Sequence, residues 1–169
     1  SKKIRIVLVT NGILLNENIA HKVISLEIDE VCVSLNVNDP GAYRRHMGTD
    51  GYNVVCGNIE NLINLRNKKK RTTPSVFVQY IDYDKNAGVF DSDIKRWLKI
   101  MSHNDKCFIH PVVNQAGFFS GGNDFGSKTD RFPCTQPLWR IAIKRNGDIF
   151  PCDSCFYSGP HIIGSLYLG

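Results

Sequence analysis

Short apolar runs and amphipathic stretches alternate along the first two thirds of the chain. The apolar runs are rich in Val, Ile and Phe, and such runs are typical of buried strands. The stretches between them repeat apolar residues every three or four positions, as helices with one buried face do. The pattern predicts strands at 4–9, 31–35, 75–81 and 107–113, and helices at 16–26, 54–65 and 91–101.

Turn and capping residues mark the boundaries of these elements. Asn11 and Gly12 end the first strand, and the stretch 39–41 (Asp-Pro-Gly) predicts the start of an irregular segment. The third helix has three candidate N-cap residues, Asp91, Ser92 and Asp93.

Strands that alternate with helices predict an α/β fold with a parallel sheet of right-handed βαβ units. Four strands are too few to close an eight-stranded barrel. We therefore expect an open sheet or a partial (β/α) barrel of the TIM type over residues 1–116.

The pattern changes after this segment. Residues 117–130 are rich in glycine and polar residues and predict a connection without regular structure. Residues 138–144 alternate between apolar and polar, Asn146 and Gly147 form a strong hairpin signal, and 148–150 returns as a second strand. Residues 131–169 are thus predicted to form a small β-hairpin module that carries cysteines.

Composition narrows the class of protein. The chain has 169 residues, 42% of them hydrophobic, which suffices for a buried core. No apolar run approaches the roughly 20 residues of a membrane span, so we expect a cytoplasmic protein without a membrane partner.

The net charge of +5 comes from one stretch, Arg66 to Arg71; without its five basic residues, 16 basic residues balance 16 acidic ones. A solvated helix end explains this patch, and no nucleic-acid partner is expected.

The six cysteines divide into two groups. Cys32, Cys56 and Cys107 are isolated in apolar surroundings and are predicted to be small core residues. The other three, Cys134, Cys152 and Cys155, lie within 22 residues of one another. Their thiolates are soft ligands, which favour zinc or an iron–sulfur cluster.

Alternatives remain open for the fourth ligand and for the metal. His161 would complete a Cys₃His zinc site that holds together an α/β binding module without catalysis. A redox Cys-x-x-Cys pair is a weaker hypothesis, because residues 156–160 make a poor helix start. Buried, reduced thiols without any metal are a third.

The spacing of Cys134, Gly147 and Cys152, with twelve and then four residues between them, resembles the opening of the SPASM/twitch auxiliary-cluster domain. That domain follows the partial barrel of radical S-adenosylmethionine enzymes. The preceding chain resembles the same enzymes from their third barrel strand onward, so the resemblance covers nearly all of the chain. It rests on the strings 9–12 (VTNG), 31–36 (VCVSLN), 57–62 (GNIENL) and 163–166 (IGSL), and on the order of the strands.

The resemblance implies an enzyme that abstracts hydrogen with a 5′-deoxyadenosyl radical and modifies a peptide or small metabolite. It assigns an auxiliary 4Fe–4S cluster to Cys134, Cys152 and Cys155. Ser34 and Asn36 would lie near the ribose or methionine part of S-adenosylmethionine, with Asn11 and Gln79 in the same mouth. Asn36 stands where the family often has Asp.

The chain also departs from this family. It contains no CxxxCxxC loop, which holds the catalytic cluster in these enzymes, and no further cysteine follows Cys155. We therefore expect the chain to be an internal piece of a larger enzyme and to be catalytically incomplete alone.

Overall fold

The computed structural model describes residues 4–83, 87–112, 135–155 and 161–167. The chain divides into two units, Ser1–His110 and Pro111–Gly169. Among the described residues, no helix is both long and apolar enough to cross a membrane. The predicted glycine-rich connection at 117–130 lies outside the described residues.

The first unit alternates strands and helices. Its four strands form one parallel sheet in the order β1-β2-β3-β4. The elements are β1 (Val7–Thr10), α1 (Glu17–Ser25), β2 (Glu30–Asn36), α2 (Pro40–Met47), α3 (Tyr52–Lys68), β3 (Ser75–Asp82), α4 (Asp91–Leu98) and β4 (Lys106–Pro111), with a 3₁₀ turn at Ala87–Phe90 before α4.

Each strand pairs with the next strand along the chain, and the connecting helices share one core. Residues on one face of β2 and β3 are fully buried, whereas the residues between them are half-buried. This sequential order is compatible with both predicted alternatives, an open sheet and a barrel segment. The α/β class and the parallel sheet are confirmed. The core comprises Val31, Val33 and Leu35 of β2; Val76, Val78 and Tyr80 of β3; Ala20, Val23 and Ile24 of α1; Val55, Ile59, Leu62 and Ile63 of α3; and Trp97 of α4.

Helix α2 corrects the irregular segment that was predicted to start at 39–41. The Asp39 carboxylate accepts a hydrogen bond from the Ala42 N–H at 2.8 Å, and Pro40 occupies the first helical turn. Gly48 closes the helix in the left-handed conformation, with φ 71°. Asp39 is therefore a helix cap, Pro40 and Gly41 belong to the first turn, and Gly48 ends the helix.

A second correction concerns the start of α4. The residue at its N-cap position is Phe90, which follows the 3₁₀ turn, and no side chain caps the helix. Asp93 therefore is not a cap; its side chain turns into the core.

A fully buried ion pair fixes the amino-terminal end of β3. Arg66 Nη1 and Nη2 donate to the two oxygens of Asp105 at 2.5 and 2.7 Å, and neither side chain is exposed. The Asp105 carboxylate also accepts the N–H groups of Val76 and Ser102. Burial acts to raise the pKa of Asp105, but the hydrogen bonds from Arg66 and from the two backbone N–H groups outweigh it and hold that pKa below its ordinary value. Placing Arg66 in a solvated basic patch was therefore wrong.

The second unit contains a small antiparallel sheet of β5 (Ala142–Ile143), β6 (Asp148–Phe150) and β7 (Gly164–Ser165). The register pairs Ala142 with Phe150, so the predicted turn joins β5 and β6, and Gly147 adopts φ 85°. The first half of the predicted strand at 138–144 is different. Gln136–Trp139 is one helical turn, α5, with Pro137 in its first turn.

Candidate functional site

The predicted cofactor residues lie at the carboxyl edge of the parallel sheet. Ser34 on β2 is the register partner of Gln79 on β3, and Thr10, which precedes Asn11, pairs with Val33. Asn36 ends β2 at the level of Tyr80. All four residues therefore come to one edge, where ligands of open parallel sheets bind.

Asn36 is unusual in its strand register, in its backbone conformation and in the hydrogen bonding of its side chain. The register between β2 and β3 shifts between Ser34 and Asn36, so β2 contains a bulge there. Asn36 itself has a positive φ of 69°. Its Nδ2 lies 3.7 Å from the sulfur of Met47, while its Oδ1 is buried without a hydrogen-bond partner among the described residues. Buried acceptors are normally paired, so this oxygen is a candidate contact for a ligand that donates a hydrogen bond.

The other three residues are used differently. The Asn11 side chain is exposed and accepts the Ile13 N–H at 3.2 Å, which stabilises the turn after β1. Gln79 Oε1 accepts a weak hydrogen bond from the Cys32 thiol at 3.7 Å. Ser34 is half-buried beside Gln79. Ser34 and Gln79 thus share the sheet face that turns away from the helices, and Asn11 belongs to the adjoining turn.

A buried hydrogen-bond network lies beneath the same edge. Asp93 Oδ2 is 2.9 Å from the Tyr52 hydroxyl and 3.2 Å from the Tyr80 hydroxyl, and Tyr80 accepts the indole N–H of Trp97 at 2.6 Å. The Tyr52 hydroxyl also lies 2.8 Å from the carbonyl of Asn38. Burial is the largest cause that raises the pKa of both tyrosines, so both remain neutral donors.

This network was not predicted from the sequence. Its members come from four places: the start of α3, the segment after β2, the end of β3 and the first turns of α4. The network therefore connects the loops of the carboxyl edge to the core. The one signal available was an aspartate in the first turn of a helix, and that position more commonly indicates a cap. The network gives the edge a rigid support, as binding sites need.

Two of the three predicted metal ligands lie together in the second unit. Cys152 is buried at the start of a 3₁₀ turn, Asp153–Cys155, and its sulfur is 3.8 Å from that of Cys155. Cys134 lies outside the described residues, and His161 is exposed. Within the described ranges, no three His, Cys, Asp or Glu side chains form a group that could hold a metal.

Burial keeps the thiols of the other three described cysteines protonated at neutral pH. Burial raises the pKa of Cys56, and raises that of Cys107 to about 11. Burial also raises the pKa of Cys32, with a further contribution from the charge of Glu30. Cys56 lies in the core as predicted, whereas Cys107 is half-buried against it and Cys32 is on the opposite sheet face. None of the five described cysteines forms a disulfide.

Comparisons with protein-family models, with curated proteins and with solved structures found no match for this chain.

Proposed function

We propose that the chain is part of a radical S-adenosylmethionine enzyme that modifies a peptide or small metabolite and carries an auxiliary iron–sulfur cluster. The observation that best supports the proposal is the buried Asn36 oxygen, which has no hydrogen-bond partner among the described residues and lies at a bulge on the carboxyl edge of a sequentially wound parallel sheet. Bulges and unusual backbone conformations concentrate at binding sites.

The polar groups at this edge suit the nucleoside part of S-adenosylmethionine. A ribose carries hydroxyl donors, and Asn36 Oδ1 offers the acceptor that lacks a partner among the described residues. Ser34 and Gln79 supply a hydroxyl and an amide at the same edge, on the sheet face that turns away from the helices. In this proposal they hold and orient the cofactor, while the Asp93 network keeps the loops around them in place. When bound and reduced, the cofactor supplies the radical that abstracts hydrogen from substrate.

The second unit would hold the auxiliary cluster. Cys134, Cys152 and Cys155 are the ligands that the proposal assigns to it. Thiolates are the ligands that iron–sulfur clusters require. The CxxxCxxC loop of the catalytic cluster is not in this sequence, so the proposal assigns that cluster to a part of the enzyme outside these 169 residues.

Cofactor binding tests the proposal directly. Titration of ¹⁵N-labelled protein with S-adenosylmethionine should give saturable NMR shifts at Ser34, Asn36 and Gln79. Asn36→Ala removes the free acceptor and should weaken binding by about tenfold, the effect of about 1.4 kcal/mol, which is typical of one good hydrogen bond. Asn58→Ala is a control, because the Asn58 amide bonds the carbonyls of Gly12 and Ile13 instead. Absence of saturable shifts, or equal weakening in both variants, would contradict the assignment.

The sulfur separation favours a second candidate, a zinc-stabilised α/β binding module without catalysis. Two sulfurs on one tetrahedral zinc, with zinc–sulfur bonds of about 2.3 Å, lie about 3.8 Å apart. A four-iron cluster instead binds each cysteine through a different iron, which sets the sulfurs further apart. Metal analysis after aerobic purification distinguishes the two. One zinc per chain that is lost in His161→Ala would support the zinc module, and iron with sulfide would exclude it.

A further inference from the structure

A groove of about 500 Å³ lies between the carboxyl-terminal ends of α1 and α3. Four exposed basic side chains line it. His21 and Lys22 come from the last turns of α1, while Lys69 and Arg71 come from the chain that leaves α3. The groove therefore gathers positive charge from two separate segments, and it includes only part of the basic stretch that the sequence shows.

Capping of the helix ends does not account for these basic side chains. Backbone N–H groups already bond the last carbonyls of both helices: Leu26 donates to Lys22 at 2.9 Å, and Arg71 donates to Arg66 at 3.1 Å. Both ends close through a residue with positive φ, Glu27 at 53° and Lys70 at 52°. In such a motif the carbonyls need no side-chain donor.

Little negative charge balances the groove from within. Across the described part of the chain, Glu27 is the one carboxylate in an ion pair with these four side chains, and it bonds Arg71 at 3.3 Å. Lys22 and Lys69 have no carboxylate partner there. Like charges held near each other raise the free energy of the folded state, and an anionic partner would remove that cost.

The form of the groove favours carboxylates over a nucleic-acid backbone. No aromatic side chain from the described ranges lines it, so bases would find no stacking surface. Its charge is confined to one place, whereas a duplex carries one charge per about 1.7 Å and is bound along a basic track. The Arg71–Glu27 pair also shows that one of the lining side chains already binds a carboxylate.

We propose that this groove docks an acidic segment of a protein partner, through exposed charges that bind reversibly and depend on salt. The site lies at the carboxyl-terminal ends of α1 and α3, away from Asn36. It is therefore independent of the proposed enzymatic function.

A fluorescein-labelled peptide rich in Asp and Glu provides the probe. Fluorescence anisotropy at low ionic strength should show saturable binding, which is lost at about 1 M salt, where charges are screened beyond about 3 Å. The double variant Lys22→Glu/Lys69→Glu should weaken binding at least tenfold. Lys22→Gln/Lys69→Gln, which only removes the charges, should give a smaller loss in the same direction.

The matched control is Lys95→Glu/Lys99→Glu, which reverses two exposed lysines at the end of α4 and leaves the groove intact. It should bind the peptide nearly as the wild type does. Three results would overturn the proposal: no saturable binding at low salt, an equal loss in the control, or an oligothymidylate that binds the groove at least as tightly as the acidic peptide.

Discussion

Arg66 and Asp105 show how much one buried pair can determine. The guanidinium and carboxylate satisfy each other and, through Asp105, the backbone of Val76 and Ser102. If either partner were removed, the other would remain as an unpaired charge in the protein interior. Such a charge raises the free energy of the folded state far more than an unpaired charge in water does.

We therefore expect Asp105→Asn to destabilise the first unit by about 3–5 kcal/mol, because it leaves the Arg66 charge buried without its counterion. Urea unfolding measures the loss. Asp50→Asn is the control, since the Arg44–Asp50 pair is 70% exposed on both sides and such pairs contribute about 0–1 kcal/mol. Similar losses in the two variants would contradict the account of the buried pair.

The same pair predicts a pH dependence. The pKa of Asp105 is lowered by folding, so its carboxylate stabilises the fold above the unfolded-state pKa of about 3.9, and this contribution is lost as the pH falls through the folded-state pKa. The stability difference between wild type and Asp105→Asn should stay constant near neutral pH and shrink below about pH 4. Urea unfolding at a series of pH values tests this; a difference that grows in acid would show the opposite sign.

Helix α2 depends on its ends, because eight residues form few internal hydrogen bonds. Asp39→Ala removes the acceptor for the Ala42 N–H and should cost about 1 kcal/mol. Asp91→Ala, in the first turn of α4, makes a useful comparison because no side chain caps that helix; its cost should stay below about 0.5 kcal/mol. Chemical denaturation compares the two, and an equal cost would argue against the capping role of Asp39.

Two glycines should respond to alanine in opposite directions. Gly57 lies within α3, where an added Cβ meets no atom within 4 Å, so Gly57→Ala should stabilise the first unit by about 0.5–1 kcal/mol. Gly147 has φ 85°, and an added Cβ would lie 2.4 Å from the Tyr167 ring. Gly147→Ala should therefore weaken the β5–β6 turn by more than about 1 kcal/mol. Thermal unfolding tests the first variant. Hydrogen exchange at Lys144, whose N–H donates to the Asp148 carbonyl at 2.9 Å, tests the second; effects of the same sign would refute this contrast.

For the molecule as a whole, local pattern was enough to predict the parallel sheet, because each strand pairs with the next one along the chain. The resemblance, rather than local pattern, selected Asn11, Ser34, Asn36 and Gln79, and the parallel register brings these four residues to one edge. Helix α2 was missed although its cap and stop residues are visible in the sequence.

Long-range pairs could not be predicted in the same way. Arg66 and Asp105 are 39 residues apart, and Tyr52 and Asp93 are 41 apart. The local pattern does not indicate that Arg66, at a lysine-rich helix end, is buried, or that Asp93, in the first turn of α4, faces the core. The Asn36 oxygen, which lacks a partner within the described ranges, likewise lies at a bulge that only the strand register reveals.

Anaerobic reconstitution with iron and sulfide tests the central proposal most directly. The wild type should take up iron and sulfide and develop the broad charge-transfer absorbance of a cluster held by thiolates. Cys152→Ala/Cys155→Ala should lack it, and Cys32→Ala should keep it, because the Cys32 thiol donates to Gln79 on the parallel sheet and is not among the proposed cluster ligands. A wild type without this absorbance, or a Cys152→Ala/Cys155→Ala variant that absorbs equally, would contradict the account.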